Sequence, residues 1–475
     1  MKQFQYLKIG IIHSQIGYTD GVSIVIDQST DALKDLGVKE DNIYYLAGCP
    51  FEKSNAYYNR ILWHKNEQNK HVLEQYSHTK DKDLKQYIEK NTDIAKRTIQ
   101  NFIERNNLDL IIIHNNSHTG NFILAVGADK YFEELRQNNK SFPKFVTWWH
   151  DSYLEKERLK KPSSLIEKYL DHIPGKNIDG IIFINSTQIE EAKTYLKKFN
   201  FKNINNFFKN FITLIPNKCT PTWSCKTKKP LPSAREFHNK GFFEDIGLIK
   251  ELRKKHLTLK DTVIVLQHSI IIKRKKIEHA IDFVFKLAEK FNKENNKKCI
   301  CLIIAGSSGD EHDNYKEFIQ NYFKELKERN HEQEVLLIFG ENYIKGQDQI
   351  CFANKTYSFA DIPSIVAQQN SIGTYFSSIE GYGNNLLEMV GGGLPVIMNK
   401  YPVYKKDIKK LGLKLIETET GNITNKHIDQ AYEMIINKKK RNKVVKHNIN
   451  IIKTKCDYKT INKPLKKFLE NILNN

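Results

Sequence analysis

The chain lacks any uninterrupted apolar stretch of the ~18–20 residues that a membrane-spanning helix requires, so no such helix is expected. Cysteine is scarce: seven occur in 475 residues, an odd number without paired spacing. That argues against a disulfide scaffold and for a reducing compartment. Cys299 and Cys301 alternate with Ile300 and Leu302, the pattern of small buried hydrophobes in a strand. No cluster of cysteine and histidine has zinc spacing, and no metal site is expected. Met1 to Ile9 leads directly into a strand pattern, with neither a long apolar core nor a small-residue cleavage site. The expectation is a cytoplasmic protein without a secretory signal. Acidic residues are few beside basic ones, 55 against 75, for a formal charge of +20. Three readings compete: a lysine-rich codon bias, attraction to anionic ligands or to the anionic inner face of a membrane, and nucleic-acid binding. Lysine is spread along the whole chain and no nucleic-acid module is recognisable, so no nucleic-acid partner is expected. Oligomeric state is not legible.

What is present is enough apolar residue, 40%, for globular cores. The length suits two domains of ~100–200 residues each. Short apolar runs alternate with amphipathic stretches. Strands are predicted at 6–13, 42–46, 108–114, 145–150, 178–185 and 211–216, with helices at 22–36, 83–105 and 187–199. Pro221, Pro230, Pro232 and Gly241 then break the rhythm. It restarts with strands at 262–268, 298–305, 334–339, 372–377, 395–398 and 413–416, and helices at 277–291, 315–328, 362–368 and 384–390. Such alternation implies parallel sheets covered on both faces. The fold class is therefore α/β, with two doubly wound domains: 1–219 with a polar insertion at about 52–82, a linker at 220–241, 242–436, and a basic helical segment at 437–475. Apolar residues at near-helical spacing in that last segment, such as Leu465, Phe468, Leu469 and Ile472, predict a packed terminal helix.

The segment richest in chemistry runs from Ser377 to Glu388. An apolar strand ends in small polar residues, Gly381 and Gly383 form a turn, and a helix opens at Asn384 and Asn385. Ligands of open α/β sheets bind at the carboxyl ends of strands. Glycines let backbone and ligand approach closely, and the amides opening a helix suit a diphosphate. Glu380 in the turn and Glu388 inside the helix can each accept hydrogen bonds from vicinal sugar hydroxyls.

These residues resemble the E-x7-E motif of retaining GT-B glycosyltransferases in the large family 4 group. Gly391-Gly392-Gly393-Leu394-Pro395-Val396-Ile397, Phe359-Ala360-Asp361, Pro216-Asn217 and Ala305-Gly306 resemble further segments of that family. A narrower likeness, to the branch containing mannosylglucosylglycerate synthase and related sugar-acid transferases, rests on two stretches. One is Thr19-Asp20-Gly21-Val22-Ser23 with Tyr45-Leu46-Ala47-Gly48; the other is Tyr401-Pro402-Val403-Tyr404 with Asp407-Ile408. The resemblance implies two Rossmann-like domains facing a cleft, with the terminal helix returning to the first. It also implies a donor carrying a UDP- or GDP-linked hexose and a hydroxyl acceptor, with no cofactor and no metal. It places Glu388 on the nucleotide ribose, Glu380 on the donor sugar, and Lys275, beside Arg274, on the diphosphate. Tyr382, Gly383, Asn384, Asn385 and Leu386 would hold sugar and diphosphate through their backbone.

In the first domain, Gly21 would meet the donor, and Asp20 the acceptor. His150-Asp151, at a strand end, resembles the family's "HD" pair, in which the histidine faces the donor sugar; Asp151 and His114 are acceptor candidates, and His118 a weaker one. The catalytic set is thus His150, Lys275 and Glu380. One departure stands out. The resemblance calls for arginine five residues before Lys275, and Ile270 occupies that place. Isoleucine cannot stabilise a departing diphosphate, so Lys273 or Arg274 is expected to compensate. The alternative is a catalytically weak or inactive GT-B protein that binds sugar nucleotides.

Overall fold

Central strands such as Ile9–His13 and Thr262–Gln267 are buried at every position and have no face to offer water, and both domains are built to cover them. The structure, a computed structural model, describes residues 4–18, 21–151, 159, 161–199, 201, 203–230, 241–308, 314–345 and 357–474. The chain divides into two units, Met1–Asn217 with Tyr458–Asn475, and Lys218–Asp457.

The first unit carries β1 (Ile9–His13), β2 (Ile43–Ala47), β3 (Ala56–Tyr58), β4 (Leu110–His114), β5 (Lys144–Trp149), β6 (Gly180–Phe183) and β7 (Ile212–Leu214). They form one sheet in the order β3-β2-β1-β4-β5-β6-β7, parallel throughout. The order reverses between β1 and β4, which places a switch point where His13 and His114 end their strands. The stretch expected as an insertion supplies the edge strand β3 and a helix, Glu67–Glu74, that buries Asn69 and Val72. A helix at Phe122–Gln137, absent from the sequence reading, is buried at every position from Phe122 to Asp129, and only its second half carries a polar stripe.

The second unit opens with a short antiparallel pair, β8 (Trp223–Ser224) and β9 (Lys229–Pro230), inside the stretch expected as linker. Its main strands are β10 (Thr262–Gln267), β11 (Cys299–Ile304) and β12 (Val335–Phe339). A small parallel pair follows, β13 (Ile344–Lys345) with β14 (Tyr357–Ser358), and then β15 (Ser371–Tyr375), β16 (Val396–Asn399) and β17 (Ile416–Thr418). The six-stranded sheet has the order β12-β11-β10-β15-β16-β17, again parallel. Its switch point lies between β10 and β15. Both cysteines of β11 are free and buried, as expected of small apolar fillers.

The basic terminal segment divides between the units. The helix Lys438–Ile451 belongs to the second. The last helix, Asn462–Leu473, belongs to the first, where Leu465, Phe468, Leu469 and Ile472 are buried and Asn462 donates to Asp35 Oδ2 at 3.0 Å. No helix among the described residues is long and apolar enough to cross a membrane.

Candidate active site

In the second unit the loops that follow β10 and β15 meet at the switch point. Their strands are tied at the carboxyl end: the Thr374 hydroxyl donates to Gln267 Oε1 at 2.8 Å, and Gln267 Nε2 donates to Ser269 Oγ at 2.8 Å, all three residues fully buried. The β10 loop is backed by the chain after β11. Ile271 N–H donates to the Ser307 carbonyl at 2.9 Å. A Cβ on Gly306 would lie 2.4 Å from the Ser269 carbonyl oxygen, so only glycine fits there. Ile270 sits half-buried on this loop. A single helical turn, Lys273–Lys275, then ends at Lys276, whose φ of +50° swings the chain into the helix Ile277–Lys293.

That turn delivers two cations to one carboxylate. Lys275 Nζ bonds Glu380 Oε1, and an Arg274 guanidinium nitrogen donates to Glu380 Oε2 at 2.9 Å and to the Ile379 carbonyl at 3.0 Å. Ser378 N–H donates to the Arg274 carbonyl at 3.0 Å, pinning the two loops together. The Glu380 side chain is 8% exposed and that of Lys275 is 5% exposed. Burial alone would raise the carboxyl's pKa, but the charges of Lys275 and Arg274 overcome it and hold it at about 2. Burial pulls the Lys275 ammonium below the ordinary lysine value, and the charge of Glu380 opposes that pull. The Glu380 carboxyl is therefore ionised at neutral pH.

The helix Asn384–Gly391 starts immediately after this cluster. Gly383 precedes it with φ +118°, and a Cβ there would lie 2.0 Å from the Tyr401 hydroxyl, which donates to the Tyr382 carbonyl at 2.8 Å. A side chain at 383 is thus excluded both by conformation and by space. Leu386 departs from its expected role: its side chain is fully buried and its amide donates to the Gly383 carbonyl at 3.1 Å, inside the first turn. Asn384 and Asn385, which open the helix, stand at the positive end of its dipole.

One turn into the helix, Glu388 Oε2 lies 2.9 Å from His268 Nε2. The sequence reading did not single out His268. Its imidazole is wholly buried, stacked on the Phe359 ring at 3.9 Å between centroids, and its carbonyl accepts from Asn385 Nδ2 at 2.8 Å. It therefore fixes both the carboxylate of Glu388 and the start of the helix. Its place at the end of a strand beside the switch point was the available signal. Lys273 is exposed, whereas Arg274 is the residue drawn to Glu380.

In the first unit the expected His114 and His150-Asp151 lie at the ends of β4 and β5, beside His13 at the end of β1, which the sequence reading did not single out. His13, His114 and His150 are all buried. His13 Nδ1 donates to the His114 carbonyl at 3.0 Å, and His114 Nδ1 lies 3.0 Å from His150 Nε2. His114 also stacks on Trp148. Burial, and then the neighbouring His150 and His13, push its pKa well below the ordinary histidine value, so its ring is neutral. With no exposed surface, His114 supports His150; it does not present a face to an acceptor. Asp151 is half-buried, its amide held by Asn115 Oδ1 at 3.0 Å and its carbonyl by the Ser117 hydroxyl at 2.6 Å. His118 accepts from Gly120 N–H at 2.8 Å, a loop-closing contact. Gly21 opens the helix Gly21–Asp35, and Asp20 lies outside the described residues.

No protein-family model matches the sequence. The mannosylglucosylglycerate synthase of Petrotoga mobilis is 26% identical over 425 residues, 86% of each chain. Among solved structures, a UDP-forming α,α-trehalose-phosphate synthase from Burkholderia xenovorans superposes with a TM-score of 0.61 at 9% identity, over 98% of this chain and 99% of that one. HepE from Anabaena, solved with UDP and glucose, superposes with a TM-score of 0.52 at 13% identity, over 98% and 100%. The chain is thus a homologue of a protein named mannosylglucosylglycerate synthase, and it has the two-domain α/β fold of GT-B enzymes.

Proposed function

We propose that the chain is a retaining glycosyltransferase of the family 4 type, which moves a hexose from a UDP- or GDP-sugar to a hydroxyl of a sugar, sugar acid or glycan without a metal cofactor. The observation that carries this reading is the meeting of Arg274, Lys275 and Glu380 directly before the glycine-gated start of the helix Asn384–Gly391. Two cations and a helix N-terminus on one side of a small volume suit a diphosphate. Two carboxylates, Glu380 and Glu388, suit the hydroxyls on either side of it. The name of the Petrotoga relative favours a sugar-acid acceptor.

On this reading the diphosphate draws Lys275 and Arg274 partly away from Glu380, whose freed oxygen accepts from the donor sugar. Glu388, held by His268, takes the ribose. As the glycosidic bond breaks, negative charge grows on the β-phosphate, and Lys275, Arg274 and the helix dipole stabilise it. The acceptor hydroxyl attacks from the face the phosphate leaves and passes its proton to that phosphate, giving retention. Arg274 supplies the guanidinium that Ile270 cannot. We assign His150 to the donor sugar and Asp151 to the acceptor, on the resemblance of the His150-Asp151 pair.

The test is nucleotide release from UDP- and GDP-hexoses in the presence of EDTA, with glycerate-type and sugar acceptors. Turnover that survives EDTA and falls at least ~10-fold in Glu388→Ala supports the reading. Turnover that needs an added divalent ion, or that is unchanged in Glu388→Ala, contradicts it.

A further inference from the structure

The lysine-rich stretch around Lys438 has no role in the donor site, and its placement points elsewhere. The helix Lys438–Ile451 turns Lys438, Arg441, Val445 and Lys446 onto one face. That face lines a cavity of about 480 Å3, together with Lys228, Lys260 and Trp223. The cavity lies where the strands of the six-stranded sheet begin: Lys260 precedes β10, Asn370 precedes β15 and Gly393 precedes β16. The donor loops leave the other ends of β10 and β15. At ~3.3 Å per residue, a six-residue strand separates the two regions by roughly 20 Å.

Five cations converge here, and among the described residues no carboxylate lines the cavity. This is unusual within the chain, where many lysines find an acidic partner, as Lys290 does in Glu294 and Asp429. Arg441 is the clearest case. One of its terminal nitrogens bonds the Ser371 carbonyl and the other lies 3.2 Å from the Ser371 hydroxyl, both neutral oxygens. Burial lowers its pKa to about 10, with no acidic group opposing the shift. A recessed guanidinium anchored on neutral oxygens, with four lysines around the same hollow, is an arrangement that an anion would relieve. The volume suits a small molecule, and the Trp223 ring offers an apolar wall for its uncharged part.

We propose that this cavity is a second ligand site, specific for a phosphate-bearing molecule and separate from the donor site. The phosphate sits on Arg441 between Lys438 and Lys446. Its source is a soluble phosphorylated metabolite or a lipid headgroup, which share the chemistry that this hollow recognises.

The test uses the full-length protein at constant ionic strength. Calorimetric titration with inorganic phosphate and with a hexose phosphate probes the soluble source. Sedimentation with phosphatidylcholine vesicles, with and without phosphatidylglycerol, probes the lipid source. Lys438→Glu/Lys446→Glu reverses two exposed positions and leaves the Arg441–Ser371 contacts in place. The expected result is saturable binding of at least one probe, weakened ~10-fold or more by this double reversal. Binding is retained in Lys275→Met, and in a control that reverses Lys324 and Lys410, exposed lysines outside the cavity. Arg441→Gln should abolish it. Absence of saturable binding to every probe overturns the proposal, as does equal weakening by the control reversal.

Discussion

Replacing Lys275 by methionine keeps the length and apolar stem of the side chain and removes its charge, leaving Glu380 nearly buried with Arg274 alone. The depression of the Glu380 pKa from its ordinary 4.5 to about 2 corresponds to about 3 kcal/mol, at ~1.4 kcal/mol per tenfold. The side chain is only 8% exposed, so solvent screening takes little from this figure. Removing one member of a buried pair typically costs ~3–5 kcal/mol; with Arg274 still present, the lower end applies. At ~2–4 °C per kcal/mol for a unit of this size, the melting temperature should fall by about 6–12 °C at pH 7. The pH dependence is more diagnostic. In the native protein the Glu380 pKa is depressed, so its stabilisation is complete above 4.5 and is lost as the pH falls towards 2. Without Lys275, burial dominates and the carboxyl's pKa rises above 4.5. The folded variant then takes up a proton more readily than the unfolded chain, and it gains stability as the pH falls from 7 towards 5. Differential scanning calorimetry from pH 7 to 5 should show the gap between native protein and variant narrowing. A gap that stays constant, or a variant as stable as the native protein at pH 7, would refute the reasoning.

Three further outcomes are expected. Arg274→Gln should lower kcat ~10–100-fold in a nucleotide-release assay, with little change in melting temperature, because this side chain is 42% exposed and acts on the reaction more than on the fold. Ile270→Arg in that background should recover part of the loss, measured in the same assay. Gly383→Ala should weaken UDP binding and lower the melting temperature, since the new Cβ meets the Tyr401 hydroxyl at 2.0 Å. Adding Tyr401→Phe should restore only part, because the φ of +118° remains unfavourable by ~1–2 kcal/mol for any L-residue.

Much of the architecture could be read from runs such as Ile9–His13 and Thr262–Gln267, because a strand buried on both faces declares itself by a largely apolar run without alternation. The helix Phe122–Gln137 was missed for a different reason: its first half is buried on every side, so periodic contrast is confined to the short second half with Lys130, Glu133, Glu134 and Gln137. The polar stretch after residue 52 concealed an edge strand, since Ala56–Tyr58 alternates exposed and half-buried positions too briefly to register. By composition the tail read as one basic segment; that its last helix joins the first unit, as it does, came only from the family resemblance, because the packing of its two helices on different units is a fact of tertiary contact. In the site, Glu380, Glu388 and the glycine turn were legible because strand, turn and helix occur in order, whereas Lys275 was marked only by the family resemblance. The pairing of Arg274 with Glu380, and of His268 with Glu388, was not, because it joins residues more than a hundred positions apart. His114 was expected at the acceptor because it ends a strand; only its complete burial shows that it backs His150.

A crystal structure of the protein with bound UDP bears most directly on the central claim. The account expects a phosphate oxygen within ~2.7–3.2 Å of Lys275 Nζ and of the amides opening the helix at Asn384, with the ribose hydroxyls on Glu388. UDP bound away from that helix start, with the Lys275–Glu380 contact undisturbed, would contradict it.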